Sequence, residues 1–317
     1  AAKSIPLLNV LAMTYKYQST APYSYRPIAP TISYYEDVNL HTEFILSCSN
    51  ILRLNRSIID NTDCDDVTKR EAILECENIM YDLLQEMLSC DGLININAKV
   101  AAFLNEMYRC AILCPPNSSR RISWLENVVS SLTEEQRQSL FALQDDSTGE
   151  TLLHCVVKNG DLEATQYILE NFDSPSDSFK LLKVTDSEGN TALHLASKIK
   201  LAGCIATSQS ISLFSRLVSM KNLRKQTPLH IAIEKGNGAL LRYLLRVLPN
   251  KDQVKILSQQ DLNGRTPMDL IANQNMKSPI KLLNCVMDVL SAKEAFMLLK
   301  IKDQHSHTLL HRCVTLP

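Results

Sequence analysis

Asn222-Leu223-Arg224-Lys225-Gln226-Thr227-Pro228-Leu229-His230-Ile231-Ala232-Ile233 decides how this chain is read. Its core recurs on both sides. Thr151-Leu152-Leu153-His154 follows Gly149, Thr191-Ala192-Leu193-His194 follows Gly189, and Thr266-Pro267-Met268-Asp269 follows Gly264. Thr308-Leu309-Leu310-His311 stands near the last residue. The five threonines are 40, 36, 39 and 42 residues apart. A unit that returns five times in register is an array of like elements, each too small to bury an apolar face alone.

The unit has a physical reading. In Asp186-x-x-Gly189-x-Thr191, Gly supplies a turn residue free to take positive φ. Thr is a good helix N-cap, and Pro228 and Pro267 fall at the first helical position, where a missing N–H costs nothing. Leu193, Leu195 and Ala196 then face inward. A second helix follows, as in Leu240, Leu241, Leu244, Leu245 and Leu248. Lys225 and Ser306 stand where Gly is expected. At each, either the turn relaxes or a non-Gly residue takes an unfavourable conformation.

The repeats carry extra residues with a pattern of their own. Ser176-Asp177-Ser178 leads to Leu181, Leu182 and Asp186; Lys251-Asp252-Gln253 leads to Ile256, Leu257 and Asp261. Glu134-Glu135-Gln136 before Leu140 and Asp146, and Ala292-Lys293-Glu294 before Leu298, Leu299 and Asp303, repeat it. We read a short extra helical turn between repeats. The second repeat is expected to carry its excess before its outer helix, near Gly203 to Ser210.

Ahead of the array, residues 1–35 form a Tyr/Pro-rich arm with extended backbone, since X-Pro disfavours helix. Residues 36–140 turn to helical periodicity, read as a helical bundle capping the array's first apolar face, with two very degenerate repeats of the same unit as the alternative. Residues 141–317 are the repeat domain of about five repeats, the last incomplete. The fold class is therefore all-α, stacked helix pairs behind an N-terminal bundle. Lys3 and the apolar run Ile5–Met13 faintly resemble a signal peptide, but Asn9 interrupts the run and no clear cleavage site follows. The opening Ala-Ala points to a fragment or an expression scar.

Composition narrows the function. The chain has 317 residues, 45% hydrophobic and 21% charged, with net charge −1. No basic excess calls for nucleic acid, and no apolar run approaches the ~20 residues of a membrane helix. Ten cysteines without a C-x-x-C read as buried free thiols. No P-loop, G-x-S-x-G or H-E-x-x-H occurs. His230 to Arg242 superficially resembles the AMP-transferring Fic motif. It has one residue too many before Gly236 and Ala239 where the phosphate-binding Arg belongs. His305, His307, His311 and Cys313 can be drawn as a metal site, but His311 belongs to the repeat. The reading is no enzyme, no cofactor and no metal.

The T-P-L-H-x-A core of Thr227 to Ala232 resembles the ankyrin repeat, whose standard period is about 33 residues. Asn222 to Ile233 is closer still to the N-L-x-Q-T-P-L-H-L-A-V of IκB-like proteins, apart from one extra residue at Lys225. No D-S-G-x-x-S phosphodegron is seen. The resemblance implies binding of protein partners by turn tips and the exposed side of the inner helices. On this chain those positions are Glu188, Asn190 and Lys198 in the second repeat. In the third they are Leu223, Arg224, Gln226, Glu234 and Lys235, and in the fourth Leu262, Asn263, Arg265, Asn273 and Gln274. Leu223, Leu262, Arg224 and Arg265 are the leading candidates. The resemblance implies a regulator or adaptor in signalling to transcription, partnered by Rel-type factors or other signalling proteins, in cytoplasm or nucleus, without membrane or direct nucleic-acid contact. A general scaffold or a bacterial effector presenting its repeats to a host is the alternative.

Overall fold

A computed structural model describes residues 133–145, 147–272 and 279–301, with 108, 125–126, 129–130 and 308. The Tyr/Pro-rich arm, most of the bundle, Ser306 and His311 lie outside these residues. The chain divides into two compact units, Ala1–Leu152 and Leu153–Pro317. Among the described residues all regular elements are helices, as the periodicity implies.

In the first unit, α1 spans Glu134–Ala142. It buries Leu140 and Phe141. The turn after it is held by Asp145, whose N–H donates to the Glu150 carbonyl (3.0 Å) and whose carboxylate accepts from the Ser147 N–H (2.8 Å). The sequence pattern had put Asp146 in that role.

The second unit repeats a three-helix unit. Inner helices are α2 (Leu152–Asn159), α5 (Ala192–Leu195), α8 (Pro228–Glu234) and α11 (Pro267–Ile271). Outer helices are α3 (Leu162–Glu170), α6 (Ile199–Thr207), α9 (Gly238–Val247) and α12 (Pro279–Met287). A third set is α4 (Pro175–Leu182), α7 (Ile211–Ser219), α10 (Asn250–Leu257) and α13 (Ala292–Leu299). The helices stack by type: α5 on α8 on α11, α3 on α6 on α9 on α12, and α4 on α7 on α10 on α13. The short extra turns read at Ser176, Lys251 and Ala292 are thus helices of eight residues that, with α7, build a third layer.

Their starts have local causes. Ser174 caps α4 by accepting the Asp177 N–H, with Pro175 at the first turn. Ser291 and Glu294 form a capping box at α13. Gln253 of α10 is buried, and its amide donates to the Leu245 and Leu248 carbonyls (both 3.0 Å), tying the third layer to the end of α9. Leu201, Leu217, Leu229, Leu241 and Leu257 lie wholly buried between layers.

The second repeat is where the structure corrects the sequence. Its inner helix is four residues long, closed at Ala196. Its outer helix is Ile199–Thr207, stacked between α3 and α9, and the excess is the third helix Ile211–Ser219. Gly203 and the polar run Ser208-Gln209-Ser210 looked like an insertion. In fact Gly203 lets Tyr243 of α9 approach (a Cβ there would sit 3.3 Å from the phenol oxygen), and Gln209 donates to the Ser178 hydroxyl at 2.7 Å.

Lys225 settles the open alternative at the third turn. Its φ is +56°, the only positive φ of a non-glycine among the described residues, beside Gly189 at +77° and Gly264 at +68° at equivalent turns. The turn keeps its shape and Lys bears the strain, which costs about 1 kcal/mol. Lys225→Gly should therefore raise stability by roughly 0.5–1 kcal/mol, the relief of strain being partly offset by the looser unfolded chain. A urea titration checks it, and a lower midpoint would mean that Lys225 contributes contacts outweighing its strain.

Candidate functional site: turn tips and inner helices

The second, third and fourth turns are closed the same way. In the second repeat the Asp186 N–H donates to the Asn190 carbonyl (2.9 Å), and the Asp186 carboxylate accepts from the Asn190 N–H (2.7 Å). Asn222 with Gln226 (2.9 Å both ways) and Asp261 with Arg265 (2.9 and 2.8 Å) reproduce it. Turns also pair with each other: the Leu223 N–H donates to the Glu188 carbonyl (3.0 Å) and the Leu262 N–H to the Arg224 carbonyl (2.9 Å). Gly189 has to be Gly here, since a Cβ would lie 2.7 Å from the Leu223 nitrogen.

The histidines fasten the inner helices to these turns. Nδ1 of His194 accepts the Thr191 N–H (3.1 Å), and Nδ1 of His230 accepts the Thr227 N–H (3.1 Å). Nε2 therefore carries the proton and donates to the next turn, His194 to the Gln226 carbonyl (3.1 Å) and His230 to the Arg265 carbonyl (3.3 Å). His154 reaches the Asn190 carbonyl likewise (3.1 Å). Burial, which disfavours the charged ring, pushes His194 and His230 down to about 4 from 6.5. At neutral pH these rings are uncharged structural donors. The Fic-like stretch is accounted for in the same way: His230 is wholly buried as a helix cap, and Arg242 pairs with Asp288 (2.6 Å).

This geometry sorts the candidate residues. Leu223 and Leu262 are 70% and 62% exposed, at equivalent places on successive turns. Arg224, Lys225 and Asn263 are exposed around them, as are Glu188, Lys198, Glu234 and Lys235. Asn190 and Gln226 differ from their reading as surface contacts: both are buried. Asn190 Oδ1 accepts from the Asn222 amide (3.0 Å), and the Gln226 amide donates to Glu234 (2.6 Å). Arg265 is half-buried, its guanidinium forked onto the buried Asp261 carboxylate (2.9 and 2.8 Å) with Glu234 3.9 Å away. The Lys198 ammonium donates to the Gly160 carbonyl (3.0 Å). Asn273 and Gln274 lie outside the described residues. The leading candidates thus separate into free tips (Leu223, Arg224, Leu262) and a residue already engaged in its own turn (Arg265).

A family model for three copies of the ankyrin repeat matches residues 125–206, and one for a single ankyrin repeat matches residues 224–252. The chain carries ankyrin repeats. The Asp186–Asn190 turn, the caps Thr191 and Thr227, and His154, His194 and His230 fall in these stretches, and the Asp261–Arg265 turn with Thr266 lies beyond them. No curated protein matches the chain. Among solved structures it is similar to the crystal structure of the ankyrin repeat domain of Bcl-3, described there as a unique member of the IκB protein family. That likeness has 15% identity and a TM-score of 0.42, and covers 72% of this chain and 92% of the other. Ankyrin repeats are protein-interaction modules, and the ankyrin array here is one.

Proposed function

We propose that the array acts as an IκB-like regulator or adaptor, gripping a Rel-type or other signalling protein without catalysing a reaction, in cytoplasm or nucleus. The observation that carries the binding surface is the pair of apolar tips, Leu223 and Leu262, exposed on neighbouring turns with Arg224 between them. Solvent-facing leucines on hydrogen-bonded turns are preorganised for burial by a partner, and Arg is a residue type enriched where binding energy concentrates. The Asn222–Ile233 likeness to IκB-like proteins supports the partner class.

Alanine at Leu223, Arg224 and Leu262 together should alter stability by no more than ~0.5 kcal/mol per site, since none is buried. It should weaken binding to a Rel-type factor by at least ~2 kcal/mol, about thirtyfold. Calorimetric titration with matched thermal melts reads both. Unchanged affinity for a Rel-type factor that does bind would move the surface away from the tips. No binding by the unaltered chain would remove the IκB-like role.

A further inference from the structure

We infer that the outer-helix layer carries a second docking groove, on the face away from the inner helices, that takes a short acidic segment of another protein with an apolar anchor. The groove runs along α9 between α6 and α12 as an open depression of about 1120 Å³. Its floor is made by a close approach: a Cβ on Gly238 would lie 3.0 Å from Cys285 Sγ. Gly236, at φ +67°, has open space where its Cβ would stand, which leaves one end of the groove unblocked.

The lining joins apolar side chains with three cations. Ile280 is 74% exposed, and Ile199 and Ala239 are exposed beside it. A β-branched residue this open on a packed helix is a ready contact for an apolar side chain. Arg246 and Lys281 are exposed and make no ion pair among the described residues, whereas Arg242 is held by Asp288 at 2.6 Å. The Nε of Arg242 is buried without a hydrogen-bond partner. Three cations facing one carboxylate favour an anionic occupant.

The exposed isoleucines select a peptide over a nucleic-acid backbone, which would leave Ile280 and Ile199 uncovered. The chain's own arm does not suit the groove. Residues 1–35 contain Lys3, Lys16 and Arg26 and no Asp or Glu. The occupant is thus a segment in which Asp or Glu flanks Leu, Ile or Phe, its carboxylates meeting Arg246 and Lys281.

A random-peptide display library panned on the intact chain is the probe. The expected yield is peptides joining acidic and apolar residues, bound about tenfold or more weaker by Arg246→Glu/Lys281→Glu and by Ala239→Tyr, which fills the groove. All three sites are exposed, and matched melts verify that the variants fold. Binding of these peptides should be unaffected by the Leu223/Arg224/Leu262 alanine variant, which separates this groove from the turn tips. The inference is overturned if no peptide is enriched, or if the enriched peptides are basic or neutral. It is equally overturned if they are lost only with the tip variant, or if a short oligonucleotide displaces them while charge-matched peptides do not.

Discussion

Leu229→Ala should unfold the third repeat, at a cost of about 2–5 kcal/mol. Leu229 is wholly buried in α8, the inner helix that packs against α5, α9 and α11 at once. Truncation removes the transfer energy of the side chain and leaves a void that none of three neighbours can fill without losing its own packing. Urea melts read the size of the loss. Amide exchange reads its location, with α8 and the faces of α5, α9 and α11 losing protection first. Leu223→Ala, the same chemical change on the same repeat at a 70% exposed site, is the control and should shift the midpoint little. Equal effects of the two variants would refute the stacking described here.

Acid should weaken the array before its carboxylates titrate. His194 and His230 sit at about 4 in the folded chain and near 6.5 when unfolded. Between those values the unfolded chain binds protons that the folded chain refuses, so stability rises with pH. The contribution is complete above about pH 6.5 and is lost as pH falls toward 4. It approaches roughly 3 kcal/mol per ring at the acid end. Carboxylates titrate mainly below about pH 5, so the slope of urea midpoints between pH 6.5 and 5 isolates the rings. His194→Gln should lower stability at neutral pH and flatten that slope. A flat profile in the unaltered chain would mean the rings can protonate in place, against their hydrogen bonding.

What could be read from sequence was whatever depends on neighbours in the chain. Thr191, Thr227 and Thr266 as caps, Pro228 and Pro267 at first turns, and the polar starts before Leu181 and Ile256 all act over three or four residues, so their spacing carries them. The third layer was foreseen only as isolated turns, because its packing joins α4, α7, α10 and α13 across about forty residues each time. The second repeat misled because α5 is short and Gly203 looks like a loop residue. Only the approach of Tyr243 explains that glycine. Asn190 and Gln226 were read as surface contacts because the family resemblance puts turn-tip positions against a partner. Here the backbone of each serves the turn and the preceding histidine, and the side chain turns into the stack. The outer groove left no sequence signal at all, since Ile199, Arg246 and Lys281 belong to three different repeats.

The histidine bridges also give the array a direction. His154, His194 and His230 each hand a proton forward, to a carbonyl in the turn that follows. The fourth repeat has Asp269 in that place, and its carboxylate accepts the Thr266 N–H (2.8 Å). An ionised carboxylate can imitate the capping half of the histidine's work, but it has no hydrogen to pass on. Among the described residues the run of histidine donors therefore ends with His230, which donates to the Arg265 carbonyl (3.3 Å). The first three repeats are fastened like links, each closing on the next through a histidine, and the fourth carries a carboxylate in that place.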